Sequence, residues 1–66
     1  SMIKYVKVYD WDKIENFLLR HPDFNYTTKT YMYTLKQIGD CTGIFRHKHK
    51  DPTHEELCAY YHEGEV

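Results

Sequence analysis

Hydrophobic and polar positions change period several times along the chain, and each change marks an element. From Ile3 to Tyr9 (IKYVKVY) the residues are β-branched or aromatic, interrupted by lysine and closed by Asp10. That composition predicts a first strand. Lys4 and Lys7 fall on opposite faces, so an edge or half-covered position is expected. After Asp10 the period lengthens. Ile14, Phe17 and Leu18 repeat at helical spacing, with Trp11 ahead of them, which predicts a one-sided amphipathic helix. Asp12 with Glu15 has capping-box spacing, so Asp12 is the expected cap. Pro22 requires the helix to stop by His21.

The run from Tyr26 to Ile38 (YTTKTYMYTLKQI) is ambiguous. Its threonines and tyrosines favour a strand. Tyr31, Met32, Leu35 and Ile38 also fit one helical face, with Thr27 or Thr28 as cap and Gly39 as terminator. The strand is preferred, with residues 39–43 as the turn that follows. Ile44 to Lys50 alternates cleanly and leads into Asp51-Pro52. A type I turn over residues 51–54 would close a hairpin. Its register pairs Lys50 with Glu55, Lys48 with Leu57, Arg46 with Ala59 and Ile44 with Tyr61. The opposite face pairs His49 with Glu56, His47 with Cys58 and Phe45 with Tyr60. In the competing helical reading, Asp51 caps, Pro52 opens the helix, and His54, Cys58 and His62 share a face up to Gly64. The adjacent tyrosines 60 and 61 favour the strand.

These elements sum to a small single α+β domain over residues 2–66. It is a β-α-β-β-β antiparallel sheet with one covering helix. Ser1 precedes Met2 as an expression remnant would. The alternative, β-α-α-β-β, approaches a winged-helix or ribbon-helix-helix arrangement, with 27–38 as recognition helix and 44–61 as wing.

Size narrows the function. A chain of 66 residues has room for one small core. No hydrophobic run has the length of a membrane span or a signal sequence, and two cysteines make no disulfide framework. A cytoplasmic protein with free thiols is therefore expected. Net charge is −1 but unevenly placed. Residues 1–50 hold a surplus of four cations, whereas residues 51–66 hold five acids and no Lys or Arg. In a hairpin the acidic strand would neutralise the basic one.

Candidate chemistry is sparse. His47, His49 and Cys58 share a face in the hairpin, and His62 joins Cys58 in the helical reading. Neither arrangement supplies the four ligands of a structural zinc site, and no cofactor is expected. Cys58 opposite His47 has nucleophile and base but no oxyanion site, so no enzymatic role is expected. Two binding readings remain. Seven tyrosines exceed what a small core can hold, and tyrosine suits interfaces. A sheet face bearing Tyr31, Tyr33 and Tyr61 would be an adhesive patch for a protein partner or for a homo-oligomer. Phe45 would add an anchor, and Arg46, Lys48 and Lys50 would steer charge. The expected function is therefore a non-enzymatic binding module: an inhibitor, adaptor or regulatory protein. The alternative is a small DNA- or RNA-binding regulator, in which the Arg46–Lys50 strand holds phosphates and the aromatic residues stack on bases.

Overall fold

In the computed structural model, which describes residues 1–62, six elements follow one another. They are β1 (Met2–Lys4), α1 (Trp11–Arg20), β2 (Tyr26–Thr27), β3 (Tyr31–Ile38), β4 (Cys41–Lys48) and β5 (Asp51–His62). The strands form one antiparallel sheet in the order β1-β5-β4-β3-β2. Strands β2 to β5 are a meander, and β1 joins its far edge by pairing Met2 with Tyr61 and Lys4 with Ala59. The α+β architecture with one helix on one face is as expected. The strand count is five rather than four, and the helix-helix alternative does not form.

Helix α1 buries Trp11, Ile14 and Leu18 at spacings of three and four residues, with Phe17 packed beside them. Its cap is Asp10, not Asp12. Asp10 takes the left-handed conformation (φ 57°), which Asp tolerates better than most residues, and its carbonyl accepts the bonds from Lys13 and Ile14. Asp12 instead lies in the first turn and Arg20 in the last, each complementing the helix dipole. The chain leaves the helix at His21, whose N–H still reaches the Phe17 carbonyl.

The expected first strand is cut to three residues. Val6 and Val8 leave the sheet and pack on the core as an irregular segment, which delivers the chain to Asp10. The run 26–38 is split. At Thr28 the chain folds on itself: Thr28 N–H donates to the Tyr31 carbonyl, and Tyr31 N–H donates to Thr28 Oγ1 at 3.0 Å. This turn contains neither Gly, Pro nor Asn; a threonine hydroxyl does the local bonding. The next turn is two residues, Gly39-Asp40, because Ile38 pairs directly with Cys41. Gly39 alone takes positive φ (62°) there, as a type II′ hairpin requires. Residues 41–43, expected in the turn, therefore belong to β4.

The β4–β5 hairpin forms, but its register differs from expectation. Lys48 pairs with Asp51, so the connection is His49-Lys50 and not residues 51–54. Neither residue has positive φ, and turns of that kind splay the strands they join. The ladder is accordingly irregular beside the turn. The next pair is Arg46 with Glu56, which leaves His47 facing four residues, from Pro52 to Glu55. Pro52 has no N–H to offer a ladder, and this gap requires none of it. A second irregularity follows: Phe45 pairs with Leu57, Ile44 with Ala59, and Cys58 is the extra residue. This bulge turns two successive residues, Cys58 and Ala59, into the core.

The core lies between α1 and one sheet face. Tyr33, Ile44, Cys58 and Ala59 are buried there against Trp11, Ile14 and Leu18. Leu35, Tyr31 and Tyr61 complete it from its margin.

Candidate functional site

Strand alternation sets Tyr31, Tyr33, Arg46 and Glu56 on the helix side of the sheet, at its β2–β3 and β4–β5 turn end. Arg46 is the hub. Its guanidinium carbon lies 3.9 Å from the Tyr31 ring centroid, its Nε donates to Glu56 Oε1 at 2.6 Å, and its Nη1 donates to the Tyr33 hydroxyl at 3.1 Å. Flat stacking on one aromatic ring with bonding to a second suits arginine and not lysine. Burial alone would lower the Arg46 pKa, but the hydrogen bonds it donates to Tyr33 and Glu56, with the charges of those groups, outweigh it and hold the group protonated. Burial raises the Tyr33 pKa, against the pull of Arg46.

Two open depressions flank Arg46. One, of about 370 Å³, is bordered by Tyr31, Lys48, Asp51, His54 and Glu56. Within it Asp51 accepts from Thr53 Oγ1 at 2.7 Å and contacts His54 Nδ1 at 2.5 Å. The Thr53 and His54 bonds hold the Asp51 carboxyl below its ordinary range. The other depression, of about 400 Å³, runs along the segment before α1, between Lys7, Tyr9 and Asp10 on one side and Tyr26, Tyr31 and Arg46 on the other. Tyr9 at its rim is 88% exposed.

Beyond these depressions the two hairpin tips are tied together. His49 N–H donates to the Thr30 carbonyl at 3.0 Å, and His49 Nε2 donates to the Thr28 carbonyl at 2.8 Å. The bonds bring Lys29 from one tip beside Lys48 and Lys50 from the other, around a third hollow of about 440 Å³. None of these three lysines forms an ion pair among the described residues.

The residues expected to form one binding face are therefore divided. Tyr33 is buried (2% exposed), and Tyr31 and Tyr61 are half-buried under the helix side, so they are core and core margin and not an uncovered patch. The Tyr61 hydroxyl donates to Glu15 on α1; burial, first, and that carboxylate, second, push its pKa up. Phe45 points to the other face, paired with Thr34 and Leu57. Arg46 and Lys48 do share a face, and Lys50 sits in the turn beyond them. Arg46 is already matched by Glu56, and Lys36 bonds both oxygens of Glu55. The acidic strand thus neutralises the basic region, although through other pairs than those expected.

The histidine and cysteine candidates stay apart. Alternation from Glu56 sets Cys58 in the core, away from His47, and burial there raises its thiol to about 11. His47 Nδ1 donates to the Lys48 carbonyl, while His49 bonds Thr28. His62 lies at the opposite end of β5, level with Cys41. Among the described residues no group of three His, Cys, Asp or Glu side chains is placed to hold a metal ion. None of their helices is long and apolar enough to cross a membrane. Gly64, the expected terminator of a C-terminal helix, lies outside the described residues, and 51–62 is strand.

Tyr9, Tyr26, Lys7 and Lys29 line these hollows although residue order alone does not single them out as site residues. The missing signal was the turn at 28–30. No known protein family, curated protein or solved structure matches this chain.

Proposed function

We propose that the chain is a non-enzymatic binding module that engages an acidic segment of a partner protein with the turn end of its sheet. The observation that supports this most is the trio Lys29, Lys48 and Lys50. The bonds of His49 hold the trio together; Asp51 stands across from Lys48, but its carboxylate bonds Thr53 and His54 and forms no ion pair with the trio. Like charges held together attract an anion, and the neighbouring hollow rimmed by Tyr9, Tyr26 and Tyr31 offers apolar contact to the side chains beside it.

A protein segment fits better than a nucleic acid strand. Base stacking needs free aromatic faces beside the cations. Here one face of Tyr31 is occupied by Arg46, Tyr33 is buried, and Phe45 lies across the sheet. Three free lysines on a chain of net charge −1 make a small electrostatic footprint for a phosphate backbone.

Fluorescence anisotropy tests the proposal, with a labelled Asp/Glu-rich peptide containing aromatic residues and a labelled single-stranded oligonucleotide of equal length. The peptide should bind, and Lys48→Glu with Lys50→Glu should weaken it by about tenfold or more with an unchanged circular dichroism spectrum. Binding of the oligonucleotide alone, falling steeply with salt, would replace this reading by the nucleic-acid one.

A further inference from the structure

The sheet has two faces and α1 covers one of them. Alternation places Ile3, Met32, Ile38, Phe45 and Leu57 on the other, alongside Tyr60. Ile3 and Ile38 are 53% and 46% exposed. None of these five packs on the core cluster, and among the described residues no element lies over them. Phe45 rests on Gly43, whose missing side chain leaves room for the ring: a Cβ there would stand 2.7 Å from Phe45 Cε1. The ring thereby lies close against the strand at Gly43.

Charge on this face cancels. Lys36 and Glu55 pair at 2.7 Å, and Lys36 also lies 5.1 Å from the Phe45 ring centroid. A face without net charge gives an oppositely charged partner nothing to read, but it is compatible with its own copy. The area also suits a copy. Five strands about 4.8 Å apart, three of them eight or more residues long, give a plan area of about 500 Å². The apolar side chains share that area with Thr34, Lys36 and His47, as they do in ordinary interfaces. With side-chain relief the area approaches the roughly 800 Å² that each partner contributes to a stable interface.

We propose that a second copy of this chain covers the face, sheet against sheet about a two-fold axis. The product is a four-layer dimer: helix, sheet, sheet, helix. An apolar sheet face requires a second layer, and the copy supplies one of matching width and twist. The surface is separate from the lysine-bearing turn end, so each can fail without the other.

Sedimentation equilibrium from micromolar to millimolar concentration tests this. The wild type should pass from monomer to dimer, and Ile38→Lys should shift the dissociation constant upward by about tenfold or more. Lys50→Glu, at the turn end, should leave it unchanged. Isotope-filtered NMR on mixed labelled and unlabelled wild type gives an answer independent of any variant. Intermolecular contacts among the methyl groups of Ile3, Met32, Ile38 and Leu57 are expected. A monomer throughout the range, or a dimer whose intermolecular contacts lie elsewhere, such as along the β3 edge, would overturn the proposal.

Discussion

The two faces of the sheet distribute their hydrophobic residues against ordinary expectation. The covered face carries Tyr33, fully buried, with Tyr31 and Tyr61 at its margin, whereas Tyr60 lies on the open face. The open face carries Ile3, Met32, Ile38, Phe45 and Leu57, which have no polar group to leave in water. The difference lies in what a hydroxyl permits. A small two-layer domain has a core mostly made of margin, where each side chain is half in and half out. Tyrosine fills such positions because its ring is buried while its oxygen finds Arg46 or Glu15 at the rim. The five aliphatic and aromatic side chains named on the open face carry no such oxygen, and only packing can remove them from water.

The largest contrast should come from deleting packing on each side. Leu18→Ala, at a position with no exposure, should lower unfolding free energy by about 2–5 kcal/mol in urea titration. Ile38→Ala, measured at concentrations where the chain is monomeric, should cost less than about 1 kcal/mol. Equal losses would mean that both faces are core. Gly43→Ala comes next. The new Cβ meets the Phe45 ring at 2.7 and 3.2 Å and the Leu57 side chain at 3.3 Å. A loss of about 1–3 kcal/mol is expected. Repeating it in a Phe45→Ala background should recover most of that loss, and a double-mutant cycle measures how much. Additivity would show that the ring does not depend on the glycine.

The most gradual effect should be with pH, and at neutral pH it is not felt at all. Folding raises the Cys58 thiol from its ordinary value of 9.0 to about 11 because the neutral form is the one buried. Above the unfolded value the unfolded chain holds fewer protons than the native one, so stability falls as pH rises. Its contribution is complete below pH 9 and is lost progressively towards 11. Tyr33 and Tyr61, both raised by burial, extend the decline to higher pH. Cys58→Ala should flatten the first part of that curve in thermal melts. An unchanged curve would place the alkaline sensitivity elsewhere.

Much of this arrangement could be read from residue order, but not the parts that decide the site. Helix α1 was legible because Ile14, Phe17 and Leu18 repeat and Pro22 ends it. Its cap was not, since Asp10 and Asp12 are equivalent until the backbone enters the left-handed region at one of them. The β4–β5 hairpin was legible from alternation. Its register was not, because Asp51-Pro52 carries the stronger turn signal while the chain turns at His49-Lys50. The turn at His49-Lys50 and the irregularity beside it bring Cys58 level with Ile44 and Phe45, which is why His47 and Cys58 never meet. The tyrosine count was read as surplus surface, whereas paired hydroxyls let Tyr33 and Tyr61 serve the core. Lys48 and Lys50 were legible as charges. Their companion Lys29 depended on a threonine-made turn that propensities do not mark.

The position of β1 also bears on the order in which the molecule assembles. Strands β2 to β5 close through short turns between sequence neighbours, so most of the sheet can form through local steps of low entropic cost. Strand β1 pairs residues 2–4 with residues 59–61, across nearly the whole chain, and backbone bonds from Tyr5 to Cys58 and between Ser1 and His62 extend it. That closure joins ends far apart in sequence, so it costs more chain entropy than any turn of the meander. When it opens, the β5 edge from Ala59 to Tyr61 lies bare, and whatever strand is nearest can pair there in place of β1.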